Sequence, residues 1–119
     1  MAAHPIRLTT GENTLEASVT DSPTARDFAS VRPLTLEFRH YGGQEVLADL
    51  PRALTTSDAP ARSGAEPGQI AYYSPSQVLV LYYESVASFP GIIPIGQLDA
   101  DPTVISSLPD GSTIAIESR

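Results

Sequence analysis

The sequence predicts a mainly β protein, a small closed β-barrel of about eight strands with one or two short helices, in a single domain over residues 1–119. Short runs of alternating apolar and polar residues recur along the chain, and Gly, Pro, Ser and Asp separate them. One stretch, residues 68–83, indicates two strands joined by a Ser-Pro turn and is apolar on both faces. Strands at this spacing favour a barrel, because closure leaves no exposed sheet edge.

The first part of the chain contains a predicted hairpin and a helix. Residues 6–10 and 14–20 form the hairpin, since the second run alternates Leu, Ala and Val with Glu, Ser and Thr. Ser22 is a suitable cap for a helix that begins at Pro23, where the missing proline N–H is not needed. The helix ends before Pro33, which restricts the preceding residue to extended backbone.

Alternation then resumes and is followed by an unusually long loop. Residues 34–41 form a half-buried strand, the Gly-Gly pair at 42–43 turns the chain, and residues 45–50 form a short strand. The long loop (residues 55–67) is rich in small residues and Pro. Loops of this length are uncommon in compact domains and are often functional.

The apolar hairpin at residues 68–83 has two distinct faces when Tyr73 is paired with Val78. The first face carries Ile70, Tyr72, Leu79, Leu81 and Tyr83, and the second face carries Ala71, Tyr73, Val78, Val80 and Tyr82. A hairpin with one face in water would alternate apolar with polar residues. We therefore expect one face to line the barrel interior and the other to lie under a covering layer, in a groove or against a partner.

The last third of the chain completes the predicted fold. Residues 89–96 are apolar but interrupted by Pro and Gly, which indicates an irregular strand or a pair of loops. Residues 101–108 form one helical turn, and residues 112–117 form the last strand with two Ile side chains directed inward.

Composition and charge exclude several classes of function. The chain has 119 residues, a net charge of −7 and no Cys, so it has neither a disulfide framework nor a thiolate nucleophile. All basic residues are Arg, and none lies between residues 63 and 118, which argues against nucleic-acid binding. No apolar run is long enough for a membrane span, and the first residues lack a signal-peptide pattern, so we expect a cytoplasmic, soluble protein without a membrane partner.

Residues for catalysis or metal binding are scarce. His40 is expected to be a strand-end side chain that makes one hydrogen bond, and no Gly-x-Ser-x-Gly motif accompanies it. Asp99 and Asp101 form the one close acidic pair, for which turn and helix capping is favoured over a weak Ca²⁺ site. The glycine pairs match no phosphate loop. We therefore predict no catalytic residue, no metal and no cofactor.

Four segments together resemble a known family. They are residues 23–28 (PTARDF), 33–36 (PLTL), 49–52 (DLPR) and 68–75 (GQIAYYSP), in this order along nearly the whole chain. In these segments the chain resembles the cyclophilin-like fold proteins of bacteria and archaea. The resemblance implies a closed β-barrel with helices over its ends, and no established activity. True cyclophilins are prolyl isomerases, but this chain lacks Trp and lacks a Phe-Met-x-Gln stretch after an Arg.

The favoured function is a non-catalytic module that binds a small molecule or an extended peptide beside the apolar hairpin. Arg52 would supply charge there, and Tyr73, Tyr82 and Phe89 would supply apolar walls, under a roof formed by the long loop and by residues 89–95. One alternative is a divergent peptidyl-prolyl isomerase. Another is a structural homodimer through the second face of the hairpin, because large apolar patches rarely stay exposed on monomers.

Overall fold

Ten strands and two helices are formed in the computed structural model, which describes residues 4–11, 13–31 and 33–118. The strands are β1 (His4–Thr10), β2 (Asn13–Val19), β3 (Leu34–Tyr41), β4 (Glu45–Asp49), β5 (Arg62–Ala65), β6 (Gln69–Tyr73), β7 (Val78–Tyr82), β8 (Val86–Pro90), β9 (Ile92–Leu98) and β10 (Ser112–Ser118). The helices are α1 (Pro23–Ser30) and α2 (Thr103–Ser106). Eight strands close into an antiparallel barrel in the order β1-β10-β3-β4-β7-β6-β9-β2, which confirms the predicted fold class.

The β6–β7 hairpin has the register that the sequence predicts. Tyr73 pairs with Val78, and Ile70 pairs with Leu81. The first face belongs to the apolar cluster that fills the barrel. The second face belongs to a separate cluster on the outside of the barrel, together with Ala65. Both faces of this hairpin are therefore covered by protein.

The ribbon, which we define as the strand pair β5–β8, provides the outer cover. Its two strands pair with each other rather than with the barrel, and the pairing shifts register between Ser63 and Ala65. Gly64 lies in this irregularity, where a Cβ would come within 2.8 Å of the Val86 carbonyl oxygen. Only a residue without a side chain allows the two strands to approach so closely.

One prediction for this region was wrong in detail and another was confirmed in one of its two forms. The long loop was predicted to lack regular structure, but part of it forms β5. The segment at 89–96 was predicted to be an irregular strand or a pair of loops; it contains the end of β8 and most of β9, with Gly91 between them at a φ of 95° and a register shift where β9 pairs with β6. Both strands depend on partners distant in sequence, and local propensity does not reveal such partners.

The helices cover opposite ends of the barrel. Helix α1 begins as predicted: the Ser22 side chain accepts a hydrogen bond from the Ala25 N–H at 3.2 Å, and Pro23 is the first helical residue. Phe28 from α1 and Ile105 from α2 are fully buried in the barrel cluster. The barrel interior is thus filled with side chains, as in other small barrels.

The segment after β4 packs against α1 and seals that end. The backbone N–H of Leu54 donates a hydrogen bond to the hydroxyl of Tyr72, 3.1 Å away, in a buried position. The Thr24 hydroxyl donates to the carbonyl of Thr55 at 2.7 Å. These contacts fix the start of the long loop to the helix and to the hairpin.

We predict that Tyr72→Phe lowers the free energy of unfolding by about 1–3 kcal/mol, because the buried Leu54 N–H would lose its acceptor. Tyr41→Phe is the matched control, since that hydroxyl belongs to a side chain that is 64% exposed. Urea denaturation followed by circular dichroism measures both variants. Equal unfolding energies for the two variants would contradict the structural role of the Tyr72 hydroxyl.

Candidate functional site

A cavity of about 290 Å³ lies on the outside of the barrel, where the ribbon meets the β3–β4 turn. Strands β4, β6, β7 and β9 form its floor, and β8 forms one wall. We call it the outer pocket, and its lining residues are Tyr41, Gln44, Glu45, Leu47, Tyr73, Tyr82, Val86, Phe89 and Ile92. Most of these side chains are aromatic or aliphatic, which is typical of small-molecule sites.

A row of three residues crosses the floor of the outer pocket. Tyr41 on β3 pairs with Glu45 on β4, and Glu45 pairs in turn with Tyr82 on β7. Residues directly opposite one another on neighbouring strands point to the same face. The carboxyl of Glu45 therefore lies between two tyrosine side chains on the outer side of the barrel wall.

Glu45 is a nearly buried carboxyl, only 7% exposed. One of its oxygens, Oε1, accepts a hydrogen bond from the Gln44 amide at 3.2 Å. Burial raises the pKa of Glu45, because water no longer solvates the charged form. Among the residues that the structure describes, no other side chain donates a hydrogen bond to this carboxyl.

The phenol of Tyr82 stays protonated over the physiological pH range. Burial is the main cause of its raised pKa, and the negative charge of Glu45 and the neighbouring Tyr73 act in the same direction. The floor of the outer pocket therefore presents a carboxyl, a neutral hydroxyl and the amide of Gln44 to a ligand.

Aromatic rings form the rim of the outer pocket. The rings of Tyr73 and Phe89 lie with centroids 6.2 Å apart and planes tilted by 39°. Tyr41 is 64% exposed and Phe89 is 50% exposed, and they are the two large exposed hydrophobic side chains in the described ranges. Both line this one pocket. Two large exposed rings at one opening are typical of an interaction site.

Three of the four residues proposed from the sequence meet in this pocket. Tyr73, Tyr82 and Phe89 all line it. The sequence argument did not include Tyr41 and Glu45. The Gly-Gly turn at 42–43 was the available signal, because a hairpin closed there places Tyr41 directly opposite Glu45.

Arg52 does not line the outer pocket, and this corrects the expected arrangement. Its guanidinium instead donates two hydrogen bonds to Asp27 on α1, at 2.7 and 3.1 Å, and a third to the Ser30 hydroxyl at 2.8 Å. Asp27 also accepts the backbone N–H of Thr55. Chiefly because of the Arg52 hydrogen bond, the pKa of Asp27 falls to about 2. Arg52 thus ties the start of the long loop to the helix.

The two other candidate groups have structural partners. The Nδ1 of His40 lies 3.0 Å from the Tyr83 hydroxyl, and its Nε2 contacts the Leu108 carbonyl, so the ring has two partners instead of the one expected. The Asp101 carboxylate accepts hydrogen bonds from the backbone N–H and hydroxyl of Thr103, the first residue of α2, whose N-cap is Pro102. Within the ranges described, no group of three or more His, Asp or Glu side chains is placed to hold a metal ion.

Comparison with known proteins identifies the family. A profile of the cyclophilin-like family matches residues 8–117. The chain belongs to the cyclophilin-like family. The solution structure of a hypothetical protein from Archaeoglobus fulgidus is similar to this cyclophilin-like barrel, with a TM-score of 0.75 and 16% sequence identity over 98% of this chain and 95% of that chain. At this identity the similarity shows the fold alone. No curated protein matches this cyclophilin-like chain. None of the helices described here has the length and apolar character needed to cross a membrane.

We predict that Arg52→Gln lowers the melting temperature at pH 7, and that the difference from the parent protein shrinks as the pH falls from about 4 towards 2. In the folded protein the pKa of Asp27 is depressed from 3.8 to about 2. The ion pair with Arg52 therefore stabilises the fold fully above pH 3.8, and this stabilisation is lost as the pH falls and Asp27 takes up a proton.

Arg39→Gln is the control, because Arg39 forms a more exposed and longer ion pair, 3.6 Å from Asp49. Thermal unfolding of the three proteins at several pH values provides the comparison. A loss in Arg52→Gln that is the same at pH 7 and pH 2 would show that the ion pair with Asp27 is not its cause.

Proposed function

We propose that this cyclophilin-like protein is a binding module that holds a small molecule in the outer pocket. The observation that carries the proposal is the convergence of two exposed aromatic rings and one nearly buried carboxyl in a single cavity. Elsewhere the apolar side chains of the barrel are packed in its interior or between the barrel and the ribbon. Apolar walls with a few placed polar groups are the usual composition of ligand sites.

The dimensions of the outer pocket favour a small ligand over a peptide. Its volume of about 290 Å³ is near the lower end of the range for small-molecule sites, roughly 300 Å³. Peptides often bind by adding a strand to a free sheet edge; among the described strands the barrel is closed, and only the two-stranded ribbon has outer edges. These features support a compact ligand whose apolar part contacts the rings and whose polar part reaches Glu45.

The homodimer alternative loses its main argument. It required the second face of the hairpin to be uncovered, but Ala65 and Val86 of the ribbon pack over that face within the same chain. What stays accessible is the outer pocket with its two exposed rings. An opening of this kind accommodates a small molecule more readily than it accommodates the flat surface of a partner protein.

A fragment screen by two-dimensional ¹H–¹⁵N NMR tests the binding function. We expect the fragments that bind to shift the amide signals of residues around the outer pocket, above all in β4, β6 and β8. Phe89→Ala should weaken their binding by about tenfold, since a ring stacked on a ligand contributes roughly 1 kcal/mol or more. Thr113→Ala, on the exposed side of β10, is the control.

The screen also has outcomes that count against the proposal. Shifts at scattered surface positions, or the same affinity for the parent protein and Phe89→Ala, would place binding elsewhere. No binding by any fragment would reject the function. The isomerase alternative is tested on the same samples with a proline peptide. We expect the protein not to accelerate its cis/trans exchange, because no arginine is among the described residues that line the pocket.

A further inference from the structure

Half of the aromatic residues of the chain surround the outer pocket. The chain has five Tyr and three Phe, and four of these eight rings line this one cavity. They come from four different strands, with Tyr41 on β3, Tyr73 on β6, Tyr82 on β7 and Phe89 on β8. Aromatic faces carry partial negative charge and attract cations placed over them. An enclosure built from several strands brings such faces around one point.

The charge in the outer pocket is negative. Glu45 is the one acidic or basic side chain among the described residues that line it. The chain has no Lys, and its net charge is −7. An anionic ligand would meet the Glu45 carboxylate with no basic side chain among the described lining residues to compensate it, whereas a cation would be attracted by it.

The Glu45 carboxyl has capacity for a further partner. Gln44 donates to Oε1, and no side chain in the described part of the chain donates to Oε2. A carboxylate withdrawn from water is costly unless an opposite charge or a hydrogen-bond donor compensates it. A neutral, wholly apolar ligand would displace the remaining water and leave the carboxylate without compensation for its lost hydration. A cation would supply that compensation.

The aliphatic walls exclude a bare metal ion as the preferred occupant. Leu47, Val86 and Ile92 complete the lining of the outer pocket. Divalent ions need several oxygen ligands, and the described residues contain no cluster of three His, Asp or Glu side chains. An organic cation satisfies both parts of the pocket, because its alkyl groups contact the apolar walls while its charge lies near the carboxylate and the rings.

We propose that the outer pocket binds a small alkylated ammonium compound, with its charged nitrogen between Glu45 and the rings of Tyr73, Tyr82 and Phe89. This assignment rests on the binding function proposed above and specifies the chemistry of the ligand. It assigns a role to Glu45, because the carboxylate balances the charge of the ligand. It also explains why the enclosing residues are aromatic and not simply aliphatic.

The test compares choline with 3,3-dimethylbutan-1-ol, which has the same shape but a carbon atom in place of the charged nitrogen. Both are titrated into the ¹⁵N-labelled full chain at constant ionic strength, with NaCl as the control for screening. We expect choline to shift the amide signals around the outer pocket with a dissociation constant at least about tenfold lower than that of the neutral compound.

One variant and its control test the contribution of the carboxylate. Glu45→Gln keeps the shape of the side chain and removes its charge, so it should weaken choline binding by about tenfold and leave the neutral compound unaffected. Glu117→Gln removes a matched carboxylate from the exposed face of β10 and should change neither affinity. If Glu45→Gln does not fold, Phe89→Leu tests the contribution of the ring at a position that is 50% exposed.

The outcomes distinguish this inference from the binding function on which it rests. Equal or tighter binding of the neutral compound overturns the cation assignment, and so does an equal loss of choline affinity in Glu45→Gln and Glu117→Gln. Binding of other fragments to the outer pocket when choline does not bind also overturns it, but leaves the binding function intact. No binding of any fragment or cation to the pocket overturns both.

Discussion

The β6–β7 hairpin is buried on both sides, and much of the architecture follows from covering its two apolar faces. Leu79 points into the barrel and Val80 points outward, yet both are almost completely shielded from water. Closure of the barrel covers the first face. The second face lies on the convex outer side, which a closed barrel leaves in water, so a separate element has to cover it. The ribbon does so, and the outer pocket lies beside its strand β8.

The predictions that succeeded depend on local patterns. The hairpin register follows from alternation on both sides of a short turn, and the start of α1 follows from Ser22 and Pro23. The ribbon could not be found in this way, because β5 has the sequence Arg-Ser-Gly-Ala and becomes a strand only through its pairing with β8. Non-local pairing gives strand structure to residues with little intrinsic preference for it.

The candidate site was predicted only in part, because some of its residues are brought together by non-local pairing. The aromatic residues Tyr73, Tyr82 and Phe89 were recognisable because apolar rings on a second face need a cover or a ligand. Arg52 attracted attention by its residue type, but its partner, Asp27, is 25 positions earlier and on a different element. Glu45 was overlooked because a carboxylate at an alternating strand position ordinarily faces water. Its burial arises from the β3 and β7 neighbours and the ribbon, which no local window contains.

Glu45 is difficult to explain by stability alone. The outer cluster around it is otherwise apolar, and an aliphatic side chain there would avoid the cost of withdrawing a carboxyl from water. The neighbouring Tyr82 hydroxyl is also desolvated, so two polar groups are held side by side with one amide hydrogen bond to the carboxyl. Local departures from good packing of this kind are typical of functional positions, where a ligand supplies the missing interaction. The same constraint that requires a cover for the hairpin thus creates the enclosed, weakly solvated space in which we propose that one carboxyl selects a cation.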